Sequence, residues 1–322
     1  MAVSDTDLAV PGEPDPASTS ADIRDRLKRK YPPPKSQWVA LVFIAPALLL
    51  VLVFFIVPLV MAIWMSLHNW PLMGSPRFIG LTNYIRLASD KNFLNSLIFT
   101  GKYTVLVTIA IFIVAFPLAL FVDKKTRLTG FFRTSYFLPS VVGFATSCLL
   151  WVWLLSPDNG LFSVALQRLG LVDKPVQFIA NYHLAFMSII IMVVWRMAGF
   201  TMLLLLTGIQ AIPHDIHEAA RIDGATAWQR FRLVTLPLMK RTLALTMVMS
   251  IAGSILAFDQ FYIITLGGPR KQTMTAVYQI YNNSFISFKL GYGAAMSVVL
   301  MLILVAFTIL QLYILRSKEP TK

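Results

Sequence analysis

Two charged side chains stand inside apolar runs and need a reason to be there: Arg196 and Asp259. A charge at the centre of a membrane-spanning helix costs about 2.5 to 3.5 kcal/mol on insertion scales. The Asp259 carboxylate can accept hydrogen bonds from hydroxyl groups, and Phe258 beside it offers an apolar face to a ring. A structural pair with a neighbouring helix is the competing explanation. Arg196 falls near the middle of its run, whereas Asp259 lies about six residues from the end of its own, a difference in depth of roughly 10 Å at 1.5 Å per residue. That offset argues against a direct pair. Arg196 is therefore assigned a structural or gating role, with a carbonyl or another helix as its partner.

Other reactive residue types are scarce. The single cysteine, Cys148, lies in an apolar run, which excludes an intrachain disulfide and a thiolate cluster. Of four histidines, only His214 and His217 stand close together. The sequence has no phosphate-binding Gly-x4-Gly-Lys-Ser/Thr pattern, no Ser/His/Asp set, no carboxylate dyad and no metal motif. No catalytic residue and no metal site is expected, and any ATP used must be bound by another chain.

The elements that position these residues follow from composition. The chain has 322 residues, 57% of them hydrophobic and only 13% charged, with a mean hydropathy of +0.69. An ordinary soluble domain carries about 25% charged residues. Blocks of about 20 apolar residues match a hydrocarbon core roughly 30 Å thick. The expected fold class is an all-α integral membrane protein with six transmembrane helices, at about 38–67, 103–122, 134–155, 183–209, 242–265 and 292–315. Pro139 and Gly143 interrupt the third. Residues 1–37, rich in Pro, Asp and Ser and then basic, read as a disordered tail, leaving 38–322 as the transmembrane domain.

The net charge of +13 reflects basic flanks of membrane spans rather than nucleic-acid binding, for which no motif is present. With the amino terminus inside, inner segments hold 18 Lys and Arg against 9 in the outer ones. The bias places both termini in the cytoplasm. Trp64, Trp70, Trp151 and Trp153 fit an interfacial belt or ordinary packing equally well.

This orientation makes the 32-residue loop 210–241 cytoplasmic. Pro213 suits a helix start, and Asp215 and Glu218 suit the positive end of its dipole. Gly224 can end the helix in a left-handed conformation, Thr226 can cap a second helix, and Pro237 closes that one. Ala219 and Ala220 let a partner backbone approach, while Glu218 and Asp223 offer it acceptors. Generic chemistry leaves two readings of this helix open: a protein socket, or an anionic lipid surface touched by Arg230 and Arg232.

The spacing Glu218-Ala219-Ala220, three residues, Gly224, nine residues, Val234-Thr235-Leu236-Pro237 resembles the EAA loop of ABC-importer permeases, with Val234 in place of the usual Ile. Trp195-Arg196, Gly199-Phe200, Gly208-Ile209-Gln210, Phe258-Asp259 and Thr265-Leu266-Gly267-Gly268-Pro269 resemble the carbohydrate-uptake branch of that family, the maltose, trehalose and glycerol-phosphate type. The resemblance covers roughly residues 38–316.

It implies a type I permease fold in a bacterial inner membrane. Glu218, Ala219, Ala220, Asp223, Gly224 and Pro237 would couple to the ATPase. Phe258, Asp259, Gly199, Phe200, Thr201 and Met202 would contact a sugar, and Gly267, Gly268 and Pro269 would face the binding protein. The implied partners are a second homologous permease, two ATP-binding subunits carrying ATP and Mg, an extracytoplasmic substrate-binding protein, membrane lipid and a di- or oligosaccharide. Glycerol 3-phosphate or another polyol phosphate is the alternative cargo, with Arg196 as anion partner. An ion-coupled carrier would instead move solute unaided and show internal repeats, which the sequence lacks.

Overall fold

The computed structural model describes residues 37–124 and 127–315; the expected tail and the carboxyl-terminal residues from 316 lie outside them. The chain divides into two compact units between Met61 and Ala62. In the first, α1 (Gln37–Val51) passes through a π-turn (Leu52–Ile56). Its described side chains are all exposed, as expected of a helix that is apolar on every side. The following helix α2 (Val57–Ser66) completes an apolar stretch, Leu41–Ser66, long enough to cross a bilayer.

In the second unit a two-stranded ribbon, β1 (His68–Asn69) against β2 (Arg77–Phe78), leads to α3 (Thr82–Ser89) and α4 (Lys91–Val122). There follow α5 (Arg127–Val141), α6 (Phe144–Leu154), α7 (Leu161–Arg168), α8 (Tyr182–Gln210), α9 (His214–Ile222), α10 (Ala227–Arg230), α11 (Leu236–Leu238) and α12 (Lys240–Ile255). The described chain ends with α13 (Ala276–Tyr281) and α14 (Leu290–Leu315).

The central element is α4. Phe99, Tyr103, Val107, Ile111, Ala115 and Ala119 recur every four residues, and Val122 completes a buried stripe of the kind that places successive side chains on one helix face. The first four pack with Trp151 of α6, with Leu155 that caps its end, and with Ile189 and Met192 of α8. Ala115 and Ala119 pack with Met202, Leu205 and Ile209; small residues let transmembrane helices approach closely. A parallel stripe, Ser96, Thr100, Thr104 and Thr108, is also buried. Its Thr100 Oγ1 accepts from the Ala276 N–H at 2.9 Å, tying α4 to α13.

Among the described residues four helices are long and apolar enough to cross a membrane, or up to six if each of two bent pairs is one span. The structure revises three expected spans. α4 begins at Lys91 rather than 103, because Asp90 caps it by accepting from the N–H groups of Asn92 and Phe93. The third span is broken between α5 and α6, which meet at 93°, at Gly143 just past Pro139; Gly143 has extended backbone and serves as the amino-terminal cap of α6. The fifth is interrupted: α12 stops at Ile255, the Ala257 carbonyl accepts from Thr275 Oγ1 at 2.7 Å, and helical backbone resumes at Asp259 and continues as a π-turn, Phe261–Thr265. Phe258 stands at the interruption and Asp259 at the start of the second piece.

Candidate functional site

Arg196 lies midway along α8 and reaches the break between α5 and α6. Its Nη2 donates to the Val142 carbonyl at 2.9 Å, and Cζ sits 4.5 Å over the Phe144 ring. The break frees that carbonyl from helical pairing, and a charge-assisted hydrogen bond of this kind contributes about 1.5 to 3 kcal/mol, comparable to the cost of inserting the charge. Gly199, one turn on, permits the approach: a Cβ there would fall onto the Tyr136 carbonyl of α5. Arg196 Nε remains buried without a hydrogen-bond partner.

The Arg196 side chain belongs to the wall of a cavity of about 330 Å³, lined by Tyr103 and Ile111 of α4, Phe144 of α6, Arg196, Phe200, Thr201 and Leu204 of α8, Thr246, Ser250 and Ser254 of α12, and Gln260. Ser250 Oγ is likewise buried and unpartnered. Gln260 Nε2 donates to the Tyr103 hydroxyl at 2.9 Å. An apolar chamber with a few convergent polar groups is the usual form of a small-molecule site. Its lining offers a guanidinium, several hydroxyls and an amide, donor chemistry that suits a hydroxylated or anionic ligand.

The remaining sequence-predicted residues are distributed differently. Met202 belongs to the buried core around Ala115 and Ala119, and Gly199 serves helix packing, so neither lines the chamber. Phe258 stands in an aromatic group with Tyr262, Tyr278 and Tyr281, at centroid distances of 5.1, 5.8 and 5.1 Å. Burial, with a smaller contribution from Tyr262, holds the Tyr278 phenol above its ordinary pKa, keeping it a neutral donor. Asp259 beside Phe258 is half-buried. Tyr103, Ser250, Gln260 and the three tyrosines escaped the sequence reading; the only signal was polar atoms in apolar surroundings, which helix packing alone turns inward.

After Thr265 the chain reverses. Leu266, Gly267, Arg270 and Lys271 are all left-handed, and Gly268-Pro269 is cis. A Cβ on Gly267 would stand 2.8 Å from Met274 Cγ. Thr273 Oγ1 closes the turn by donating to the Gly268 carbonyl at 2.6 Å and meeting Thr265 Oγ1 at 2.8 Å.

The segment between α8 and α12 is specified by caps. Pro213 precedes α9 as its amino-terminal cap, one position earlier than expected. At the other end, Gly224 has φ +77°, its N–H donates to the Arg221 carbonyl and that of Ala225 to the Ala220 carbonyl. Those two bonds form the Schellman closure that satisfies otherwise orphaned helix carbonyls. Thr226 then makes a reciprocal capping box with Gln229. Pro237 lies in α11, and α10–α11 meets α12 at 74°. No residue of α9 is buried; Ile222 is 86% exposed, and Trp228 and Leu233 beyond it are also exposed. Among the described residues Glu218 has one charged-type neighbour, His214, whose Nε2 lies 3.3 Å from Oε1 one helical turn away.

Among the described residues no cluster of His, Cys, Asp and Glu could hold a metal ion. The geometry is that of an apolar bundle with a central chamber and an uncovered helical knob.

The chain is similar to a probable starch degradation products transport system permease protein, AmyD, of Thermoanaerobacterium thermosulfurigenes, at 30% identity over 86% of this chain and 94% of that protein. It is 35% identical, over 83% of its own length and 91% of the other, to the sn-glycerol-3-phosphate transport system permease protein UgpA of Agrobacterium fabrum. A chain of a bacterial ABC transporter involved in import of the acidic polysaccharide alginate shares the fold, with a TM-score of 0.76 at 20% identity over 92% of this chain and 98% of that one. Residues 36–319 match the family model described as binding-protein-dependent transport system inner membrane component. The chain thus belongs to the family of binding-protein-dependent transport system inner membrane components.

Proposed function

We propose that this chain is one of two homologous permeases in an ATP-driven importer of a di- or oligosaccharide, and that α9 is the coupling helix. The protein crosses a bacterial inner membrane six times, each bent pair counting as one crossing, with both termini and the α9 loop in the cytoplasm. Residues 38–322 form the permease domain. Two separate ATPase subunits, with ATP and Mg, grip the knob, and an extracytoplasmic binding protein delivers cargo to the opposite face at Gly267, Gly268 and Pro269.

The observation that carries this reading is the state of α9. It is closed at both ends by its own caps, yet it buries nothing and presents Glu218, Ala219, Ala220, Asp223 and exposed apolar side chains. A short element so fully specified and so uncovered suits a socket on another subunit. When ATP draws the two motors together, the knob moves with them. The 74° elbow at Met239 passes that displacement to α12, whose Thr246 and Ser250 line the central chamber. Cargo is held by Arg196, Phe200, Thr201, Ser250 and Gln260, with Phe258 and Asp259 forming an aromatic and carboxylate contact of the sort that holds a sugar ring. No bond is made or broken in this chain.

A second cargo, glycerol 3-phosphate or a related polyol phosphate, is favoured by the Arg196 guanidinium in the chamber wall and by the similarity to UgpA. The test of the coupling role is uptake and ATP hydrolysis by the reconstituted assembly carrying Glu218→Gln and Gly224→Val. Transport should vanish while the subunits still insert. Normal transport by that variant, or solute movement by this chain with no other polypeptide present, would refute the assignment.

A further inference from the structure

At the Lys91 end of α4, roughly 40 Å along the helix from its Val122 end at 1.5 Å per residue, lies a second cavity of about 610 Å³. Lys102, Arg270 and Lys271 line it together with Asn95, Gln272, Asn282 and other polar residues, and no Asp or Glu is among the lining residues. None of the three cations is engaged in an ion pair among the described residues. All three are exposed, and a cleft lined by one sign of charge focuses its field and concentrates counter-ions there. Moreover, Arg270 and Lys271 are consecutive non-glycine residues in the left-handed region, at φ +52° and +62°, where L residues are disfavoured. The Thr265–Thr273–Gly268 hydrogen bonds hold the turn in that form. Strain of this type persists where the surroundings over-determine it and concentrates at ligand clamps.

We propose that this cavity binds a small anionic polyol, such as a sugar phosphate, a glycerol phosphate or a sugar acid, on the outer face before it reaches the Arg196 chamber. The inference rests on the proposed function, which makes this the entry side. Amide groups each offer donors and an acceptor and so match hydroxyls, while the cations match phosphate or carboxylate. The volume falls within the range of about 300 to 1,000 Å³ typical of ligand sites. A concave, amide-rich wall fits a hydroxylated small molecule better than an acidic protein surface. The same chemistry is offered by a soluble glycerol phosphate and by the headgroup of phosphatidylglycerol.

The test uses the complete permease–ATPase assembly in phosphatidylcholine nanodiscs, without binding protein, titrated with glycerol 3-phosphate, glucuronate and glucose. Both anions should bind, glucose should bind at least about tenfold more weakly, and high salt should weaken the anions by a similar factor as exposed charges are screened. The variant K102Q/R270Q/K271Q should lose binding by at least about tenfold, and R270K/K271R should retain most of it, since the attraction is between charges. Repeating the titration in phosphatidylglycerol discs separates the sources: unchanged affinity assigns the soluble anion and supports the proposal, whereas competition by the discs assigns the headgroup and overturns the entry-site reading.

Equal binding of glucose, or undiminished anion binding in the triple variant, overturns it. So does a triple variant that loses only docking of the binding protein. Loss of anion binding in Arg196→Gln but not in the triple variant would move the anion to the inner chamber and equally overturn the proposal. ATP hydrolysis and elution profile of the triple variant serve as folding controls. Failure of the Glu218 and Gly224 coupling experiment would sink the importer reading while leaving these binding results to stand or fall separately.

Discussion

The α9 knob and the Arg196 chamber sit on the same polypeptide but are built in opposite ways. In the knob every structural decision is local: the Schellman bonds span Ala220 to Ala225 and the capping box spans Thr226 to Gln229. In the chamber the bonds that join its walls are long-range, since the Arg196 bond to Val142 crosses 54 residues and the Gln260 bond to Tyr103 crosses 157. A part that must be gripped from outside can be a free-standing local unit. A part that must enclose a ligand has to be assembled from distant helices, so its residues answer to packing first.

The contrast can be broken by substitution. The largest effect belongs to the paired Glu218→Gln and Gly224→Val change: uptake should fall roughly 100-fold, near the upper end of typical coupling energies, while melting of the assembly shifts little. A melting shift as large as a core mutant's would mean that the knob is part of the fold rather than a grip. Next is Gly199→Ala, a methyl group driven into the α5 backbone. It should destabilise the helix pair by about 1 to 3 kcal/mol, read as a lower melting temperature in detergent. Gly224→Ala makes the companion measurement, because no atom lies within 4 Å of its Cβ; only the left-handed backbone opposes it, at about 1 to 2 kcal/mol.

Arg196→Met removes the charge-assisted hydrogen bond to the Val142 carbonyl, which is exposed, at about 1.5 kcal/mol. It should lower both melting temperature and substrate affinity, whereas Arg196→Lys should restore much of the first. If Arg196→Met alters affinity alone, the arginine is a ligand contact and not a brace. The smallest effect is expected from Thr226→Ala, which removes one cap at about 1 kcal/mol. Faster amide exchange confined to residues near Gln229, with uptake reduced only modestly, would place that energy in the loop alone.

The caps explain why the knob was legible. Gly224, Thr226 and the prolines act on bonds a few residues away, so reading them requires no knowledge of the fold, and the one-position shift at Pro213 is within the fraying of helix ends. The membrane spans were legible for a similar reason, since length and apolarity are summed along the chain. Their breaks were only half legible: Pro139 and Gly143 announced one, but the stop at Ile255 depends on Thr275, whose hydroxyl reaches Ala257 from the next element. Gly199 and Met202 show the same limit. On sequence they share a helix turn with Phe200 and Thr201, and only the position of α5 and α4 decides which of the four meet a cavity.

By itself, then, the amino-acid sequence determined the solvent, the apolar helices and the capped loop, because each follows from composition or from bonds between near neighbours. Tertiary structure alone decided where helices bend, which carbonyl quiets Arg196, and which polar atoms are left unpaired around a chamber. Those outcomes are set by contacts between residues far apart in the chain, and side chains of identical type are assigned to core or cavity only when the helices meet.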